Sequence, residues 1–318
     1  MKALVTGGAG FIGSHVVDRL LAEGHRVDVV DDLSVGSLAN LAEARAHQSG
    51  RLSFHRLDIR SPDLVDLAAR RKPEVVFHLA AQADVRVSVA RPLFDAEVNI
   101  LGSIQVMEAA RAAGATKVVF ASSGGTIYGD PAPDDLPVTE DHPQRPLSPY
   151  GVAKRAAADY LGAYRELYEL EYTALALANV YGPRQDPNGE AGVVAIFAGR
   201  LLDRRACTVF GDGEQTRDFV YVDDVVDAFV RAAEMADGLL LNIGTGVETS
   251  VNQLYGVMAA AAGVEGPARA APARPGELRR SALDPGRALV HLGWKPWTNL
   301  AEGIEAVLAW SRDHEVPR

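Results

Sequence analysis

The sequence predicts a doubly wound α/β fold with a second, smaller and mainly helical domain. Short β-branched runs alternate with stretches of helical periodicity through the first half of the 318-residue chain. These apolar runs lack the alternation of half-buried strands, which indicates that both faces of the sheet are covered. The first run passes directly into a glycine-rich turn, the position at which sheets of this class bind ligands.

Strands and helices are predicted in alternation from the N-terminus. The strand runs, in order, are ALVT, RVDVVD, LSFHRLD, EVVFHLA, KVVFAS and YTALALA. The helical stretches between them are 11–23, 37–47, 61–71, 92–113 and 149–170. Because crossovers between parallel strands are almost always right-handed, these βαβ units predict one parallel sheet with helices on both faces.

The regular alternation of strands and helices ends near residue 180. Loops rich in glycine, proline and charge separate helices that we predict near 193–204, 223–235, 250–262 and 299–312. Long polar loops of this kind often carry binding residues. We therefore predict two domains, residues 1–178 and 179–318, with some later segments returning to the first sheet.

Composition excludes several classes of partner. The chain has 32 lysines and arginines against 42 aspartates and glutamates, a net charge of −10, so we expect no binding to nucleic acid or to anionic membranes. The single cysteine, Cys207, excludes an intrachain disulfide and argues against a structural metal site. No apolar run reaches roughly 18 residues, and no targeting segment is recognisable. We expect a cytoplasmic protein.

A glycine motif predicts a dinucleotide site. TGGAGFIGSH follows the first strand and opens the first helix, which spaces Gly7, Gly10 and Gly13 as G-x-x-G-x-x-G. Glycines there permit a tight turn, close approach of a pyrophosphate and packing of helix on strand. The second strand ends at Asp31, about 20 residues on, where a carboxylate binds a ribose 2′-hydroxyl and repels a 2′-phosphate. The pattern favours NAD over NADP.

Two later strand ends fit the same ligand. Asp58 and Ile59 close the third strand, where the carboxylate can meet an adenine amino group or serve as a turn or cap residue. The fourth strand ends in HLAAQADV, whose small residues Ala80, Ala81 and Ala83 allow close backbone approach, or for the first two simply core packing.

SPYGVAK places Tyr150 and Lys154 four residues apart at the start of a helix, so both side chains share one face. A phenol with a pKa near 10 acts as a base near neutral pH only if its phenolate is stabilised, and a nearby ammonium does this. After a complete dinucleotide motif, this pair predicts a catalytic base and its lysine.

Eight segments carry a resemblance to a known family: TGGAGFIGSH, DDLSVG, HLAAQADVRVSV, SSGGTIYGD, SPYGVAK, NVYGPRQ, GDGEQTRDFVYVDDV and RPGE. In this order they resemble the extended short-chain dehydrogenase/reductase family, and within it the bacterial UDP-glucose 4-epimerases. The resemblance implies a Rossmann-like sheet, bound NAD, a UDP-sugar substrate, and hydride exchange at C4 with Tyr150 as the base. It also implies a homodimer formed through helices near 92–113 and 150–170.

The residues expected at the cofactor combine these motifs with the resemblance. They are Gly7, Gly10, Phe11, Ile12, Gly13, Asp31, Asp32, Leu33, Ser34, Gly36, Asp58, Ile59, Leu79, Ala80, Ala81, Ala83, Asn99, Ser122, Tyr150 and Lys154.

The active-site hydroxyl has two candidates. Many family members carry it four residues before the tyrosine of SSGGTIYGD, where this chain has Gly124. Ser123 is the first candidate, since the glycines after it can re-aim its hydroxyl, and Thr126 is the second. Tyr128, with no lysine four residues later, is expected to pack in the core.

For the nucleotide sugar, the resemblance implies Ser123, Asn179, Val193, Phe210, Arg217, Arg274, Glu277 and Ser281. Other roles are open: Arg217 can pair with Asp218 or Glu214, Phe210 can be core, and Glu277 can be solvated. Ser281 is small, which leaves room for N-acetylated UDP-sugars. Asp223 and Asp224 precede an apolar run and are expected to cap a helix.

Four rival functions are weighed against these residues. Dehydratases and decarboxylases need a carboxyl group in the run 124–127, GGTI, which has none. A UDP-glucuronate 4-epimerase needs a donor for the sugar carboxylate, and NVYGPRQ offers only Arg184, which can equally pair with Asp186. A non-catalytic NAD sensor would be expected to lose Tyr150 or Lys154.

Overall fold

A seven-stranded parallel sheet forms the centre of the protein in the computed structural model, which describes residues 1–47, 50–187, 192–273 and 278–314. The thirteen strands of the described residues are β1 (Lys2–Thr6), β2 (Arg26–Asp31), β3 (Leu52–Arg56), β4 (Val75–His78), β5 (Lys117–Ser123), β6 (Glu171–Leu177), β7 (Asn179–Tyr181), β8 (Thr208–Phe210), β9 (Thr216–Arg217), β10 (Phe219–Tyr221), β11 (Leu239–Ile243), β12 (Thr249–Ser250) and β13 (Arg269–Ala271).

The strand order in the central sheet is β11-β6-β5-β4-β1-β2-β3, and every neighbouring pair is parallel. The chain winds outward in one direction through β2 and β3 and in the other through β4 to β6. The order reverses between β1 and β4, and doubly wound sheets bind ligands outside the carboxyl ends of strands at such a point. The predicted α/β fold is confirmed.

Helices cover both faces of this sheet. They are α1 (Phe11–Ala22), α2 (Ala42–His47), α3 (Asp63–Arg71), α4 (Val85–Ala90), α5 (Pro92–Ala96), α6 (Gly102–Ala113), α7 (Gly124–Ile127), α8 (Pro149–Tyr168), α9 (Val193–Leu202), α10 (Val222–Ala232), α11 (Val251–Ala262), α12 (Gly286–Leu292) and α13 (Leu300–Asp313). The stretch 92–113, predicted as one helix, is interrupted by a π-helical segment, Glu97–Leu101. Such segments often occur at functional sites.

The core lies in two layers because successive strand residues face opposite sides of the sheet. Val5 and Phe77 pack on one side with residues of α1, α9 and α10. Leu4 and Val76 pack on the other with residues of α3, α6 and α8. Both faces of the sheet are covered, as predicted from strand runs in which apolar and polar residues do not alternate. Polar side chains are therefore found mainly at the strand ends.

The second half of the chain adds α9, α10, α11 and α13 and three two-stranded sheets, β7 with β10, β8 with β13 and β9 with β12. It also returns β11 to the edge of the central sheet beside β6, while α10 packs on α1. The domain boundary at residue 178 therefore stays a prediction. Among the described residues no helix combines the length and apolarity needed to span a membrane.

The prediction that Asp223 and Asp224 cap a helix is wrong. Helix α10 begins at Val222 after Tyr221, so both aspartates lie in its first turn. Asp224 is fully buried, and its carboxylate accepts hydrogen bonds from the backbone N–H groups of Trp297 and Thr298 and from the Thr298 hydroxyl. Asp224 therefore fastens the C-terminal segment to α10.

Candidate active site

The glycine loop lies very close to the end of β4. Gly7 has a φ of +71°, and a Cβ built on it would lie 2.6 Å from the Ala80 backbone nitrogen. A Cβ on Gly13 would lie 2.1 Å from the Gly7 carbonyl oxygen. Only glycine fits at these two positions. This close packing holds the glycine loop at the N-terminus of α1, where N–H groups attract a pyrophosphate.

Asp31 is 7% exposed at the end of β2. Its carboxylate accepts hydrogen bonds from the backbone N–H groups of Ala9 (3.0 Å) and Leu33 (2.9 Å). Burial is the main cause that raises the pKa of Asp31, and these two hydrogen bonds oppose it. Asp32 in turn accepts from the backbone and hydroxyl of Ser34. The carboxylates thus shape loop 31–36 beside the glycine loop, where a ribose is expected.

Asp58 has a partner inside the protein. The Arg60 guanidinium donates to both its oxygens and the Arg60 N–H to one of them, which lowers the pKa of Asp58. This is the arrangement of a turn residue. Ile59 is buried, and a Cβ on Gly102 of α6 would meet its Cδ1 at 2.8 Å. Contact of either residue with adenine stays a prediction.

Asn99 lies behind the segment that follows β4. Its side chain is 2% exposed; the amide oxygen accepts from the Gln82 N–H, and the amide nitrogen donates to the Gln82 carbonyl and to Asp95, each at 2.9 Å. Both ends of the amide are therefore used within the protein. Asn99 thereby holds segment 79–83, which contains Leu79, Ala80, Ala81 and Ala83, and its contact with a cofactor stays a prediction.

Lys154 is almost completely buried one turn after Tyr150 in α8, whose N-cap is Ser148. Its ammonium donates to the Ala121 carbonyl (2.8 Å) and lies 4.9 Å from the centre of the Phe120 ring. Burial lowers the pKa of Lys154 to about 8, and the nearby Asp95 carboxylate raises it. The lysine is thus held at the end of β5, 5.7 Å from the centre of the Tyr150 ring.

The Ser123 side chain lies beside the Tyr150 phenol and acts on its pKa. Burial raises the pKa of Tyr150 to about 12, and the Ser123 side chain lowers it. The Thr126 hydroxyl instead donates to the Ser123 carbonyl (3.4 Å). Of the two candidates, Ser123 is the one at the tyrosine. Ser122 Oγ is buried without a hydrogen-bond partner in the described residues, as expected of a group that awaits a ligand.

Tyr128 packs in the core, as predicted. It is 3% exposed, and its hydroxyl donates to the Asn242 side chain (2.7 Å). It is therefore separate from the pair formed by Tyr150 and Ser123.

The predicted sugar-nucleotide residues lie on the second half of the chain. The Arg217 guanidinium donates to the carbonyls of Thr216 and Leu278. Phe210 lies with Gly211, Asp212, Gln215, Ala273, Leu278 and Arg279 around a cavity of about 190 Å³. Asn179 begins β7, Val193 begins α9, and Ser281 is partly exposed. Arg274 and Glu277 lie outside the described residues.

Arg184 binds two side chains of α1. It adopts a φ of +68°, and its guanidinium donates to the Asp18 carboxylate (2.6 Å) and the Ser14 hydroxyl (3.2 Å). The arginine that a glucuronate reading requires thus fastens loop 182–187 to the dinucleotide helix. Of the roles left open for Arg184, that of donor to a sugar carboxylate gains no support from these bonds.

Asp95 was not predicted from the sequence. It is 1% exposed; one oxygen accepts from Gln82 and Asn99, whereas Oδ2 has no partner in the described residues. Burial raises the pKa of Asp95, and Lys154 lowers it. Its sequence signal was only an aspartate in an amphipathic helical stretch, which is common on protein surfaces.

The described residues hold no group of three or more histidine, cysteine, aspartate or glutamate side chains suited to a metal ion.

The family model for the NAD dependent epimerase/dehydratase family matches residues 3–244. A UDP-glucose 4-epimerase of Mycolicibacterium smegmatis is 53% identical over 98% of this chain and 99% of that protein.

Two solved structures are similar over the whole chain. The UDP-glucose 4-epimerase of Thermotoga maritima with UDP-glucose has a TM-score of 0.94 at 45% identity, covering 98% of this chain and 99% of that one. The UDP-glucose 4-epimerase of Thermus thermophilus in complex with NAD has a TM-score of 0.90 at 42% identity, with the same coverage.

Proposed function

This chain belongs to the NAD-dependent epimerase/dehydratase family, and from that premise we infer that it interconverts UDP-glucose and UDP-galactose by inverting C4 of the sugar. The observation that carries the inference is the arrangement of Tyr150, Ser123 and Lys154 at the carboxyl end of β5. The GGTI run of α7 beside them holds no acid or base for a dehydration step.

The residues present fit NAD. Gly7 and Gly13 pack the glycine loop against β4 and the start of α1, a Cβ on Gly10 would meet only the Gly7 carbonyl oxygen at 3.2 Å, and the buried Ser122 hydroxyl lacks a protein partner in the described residues. Asp31, Lys154 and these groups would hold the cofactor. NAD held there would supply a reversible acceptor for the hydride at C4 of the sugar.

Tyr150 moves the proton that accompanies each hydride. A buried phenol with a pKa near 12 cannot release its proton near neutral pH unaided. The Lys154 ammonium, 5.7 Å from the ring centre, and the positive charge of a bound nicotinamide would favour the phenolate, which could then accept the 4-hydroxyl proton and later return it. Substrate and product have the same oxidation state. Because the proton that Tyr150 accepts is later returned, Tyr150 is restored after every turnover.

The second half of the chain would hold the nucleotide. Arg217 is the described cation expected at the diphosphate, and the cavity beside Phe210 suits a planar base. Anchoring at the diphosphate leaves the 4-keto sugar free to present its other face to the cofactor. Because Ser281 is small and partly exposed, we also expect turnover of UDP-N-acetylgalactosamine. No turnover where UDP-galactose is converted would contradict that expectation.

We also propose that two copies pair through α5, the π-helical segment and α8. Leu93 is 80% exposed, Leu101 60% and Val152 50%. A groove of about 550 Å³ runs between these elements, with Ile100, Leu147 and Pro149 in its lining. A second copy would cover this apolar face with an isologous helix pair.

Removal of one hydroxyl tests the proposed function. Tyr150→Phe should lower kcat at least about 100-fold without loss of bound NAD, because only the proton acceptor is removed. Tyr255→Phe, which removes a hydroxyl bonded to the Gly266 carbonyl, is the matched control and should keep wild-type kcat. Full epimerase activity in Tyr150→Phe would contradict the mechanism.

A further inference from the structure

A buried chain of hydrogen bonds centres on His78, the last residue of β4. The imidazole is 1% exposed. Its Nδ1 lies 2.8 Å from the hydroxyl of Thr6 at the end of β1, and its Nε2 lies 2.9 Å from the hydroxyl of Ser103 in α6. His78 therefore joins two neighbouring strand ends to a helix on one face of the sheet.

The neighbouring bonds decide which nitrogen carries the hydrogen. The Ser103 hydroxyl donates its only proton to the Asn99 carbonyl (2.7 Å), so it must accept from Nε2–H of His78. Nδ1 is then an acceptor, and Thr6 donates to it while accepting from the Ala80 N–H (3.3 Å). Burial, with a smaller contribution from Lys154, lowers the pKa of His78 to about 3. The ring is thus neutral at physiological pH.

The network holds the segment 79–84 at several points. Ala80 is tied to Thr6, and the Gln82 backbone is tied in both directions to the Asn99 amide. The Gln82 side chain in turn accepts from the Asp84 N–H and donates to the Asp84 carbonyl and to Asp95. The same segment forms the wall against which Gly7 lies, with the Ala80 nitrogen 2.6 Å from a built Cβ. A small displacement of Ala80 would alter the gap between the two loops.

We propose that His78 is a positioning residue for the cofactor, whose neutral imidazole fixes segment 79–84 against the glycine loop and so keeps the dinucleotide bound between turnovers. The identity of that dinucleotide rests on the proposed function. Without the imidazole, the hydroxyls of Thr6 and Ser103 would be buried with an unpaired hydrogen-bonding group each, and the segment would move to relieve them.

Two variants and a control test the proposal. His78→Leu removes both bonds, whereas His78→Gln keeps a donor that can reach Ser103. His55→Gln is the control, because half-buried His55 bonds Asp28 on the outer strands, where Arg71 also holds that carboxylate. We would measure NAD per protomer after gel filtration, the NAD dissociation constant, amide hydrogen exchange in peptides covering 79–84, and 15N NMR of the wild-type histidines.

The proposal predicts a dissociation constant raised about tenfold or more in His78→Leu, a smaller rise in His78→Gln and none in His55→Gln. Exchange in 79–84 should rise in the same order, with or without NAD, and wild-type His78 should stay a neutral Nε2–H ring from pH 5 to 8. Unchanged affinity and exchange in His78→Leu, or a His78 that titrates near pH 6.5, would overturn it. Were His78→Leu not to fold, Thr6→Val would test the same link.

A wild-type protein without NAD or epimerase activity would overturn the proposed function. In that case the exchange and NMR measurements would still decide the role of His78 in holding the segment.

Discussion

The Leu283 side chain fills the space beside Gly124. A Cβ built on Gly124 would lie 2.3 Å from Leu283 Cδ1 and 3.1 Å from the Ala176 carbonyl oxygen. Leu283 is 1% exposed and packs with Ile127 and Tyr128, so it has little room to withdraw. A side chain at 124 would therefore clash with Leu283, which is consistent with our proposal that the hydroxyl at Tyr150 comes from the preceding residue, Ser123.

A double-mutant cycle tests the relation between Gly124 and Leu283. Gly124→Ser should lower the free energy of unfolding by about 1–3 kcal/mol through overpacking, and Leu283→Ala by about 2–4 kcal/mol through a cavity. The double variant should be more stable than the sum of the two changes predicts, since each relieves the other. Strict additivity in denaturant unfolding would show that the two side chains do not compete for space.

Ser123→Ala should raise the pKa of Tyr150, because it removes a hydroxyl that lowers this pKa. We expect kcat for UDP-galactose to fall roughly 10- to 100-fold with a smaller change in KM. Thr126→Val should have a smaller effect, since its hydroxyl bonds the Ser123 carbonyl. A larger loss in Thr126→Val than in Ser123→Ala would reverse the assignment.

Lys154→Met should abolish epimerisation yet raise stability at pH 7 by on the order of 1 kcal/mol. The folded protein lowers the pKa of Lys154 to about 8, so at pH 7 the wild type pays for a buried ammonium, partly offset by its bond to Ala121. Between about pH 8 and 10.5 the native lysine is neutral while the unfolded one is charged, so wild-type stability rises with pH. The advantage of the variant should therefore shrink over that window in thermal melts; a constant advantage would contradict the shift.

Arg184→Gln should destabilise the protein by about 1–3 kcal/mol, because its guanidinium is largely buried against Asp18. Asp18→Asn breaks the same pair from the other side and should have a similar effect. Neither should change the ratio of UDP-glucuronate to UDP-galactose turnover. A selective loss of glucuronate turnover in Arg184→Gln alone would restore this arginine as a carboxylate ligand.

Leu93→Glu with Leu101→Glu should convert a dimer into a monomer, because both leucines are exposed on the proposed interface. Val290→Glu, on an equally exposed position in α12, should leave the mass in solution unchanged. Light scattering after size exclusion measures each mass. A wild-type monomer, or a double variant that remains dimeric, would contradict the proposed interface.

The sequence was sufficient for those features that depend on local pattern. Strand runs and the glycine turn predict the parallel sheet and its ligand end, and the spacing of Tyr150 and Lys154 predicts one helical face. The helix over 92–113 was predicted in place but without its π-helical break. The dinucleotide end of the site can therefore be predicted from the spacing of residues that are close in the sequence.

Features that depend on partners distant in the sequence could not be predicted from it. Arg184 and Asp18 are 166 residues apart, and Asp224 and Thr298 are 74 apart. Asp95 and His78 become notable only when the fold buries them beside Asn99 and Lys154. In each case the polar group contacts a partner that is distant in the sequence, and local sequence patterns do not indicate such a partner.

Incubation of the purified protein with UDP-galactose, without added NAD, tests the central claim most directly. NMR would follow the sugar H4 and anomeric signals, with UDP-glucuronate in a parallel sample. We expect conversion to an equilibrium mixture rich in UDP-glucose, with no net redox product, by the NAD that the protein retains. No conversion of UDP-galactose, or conversion of UDP-glucuronate alone, would contradict it.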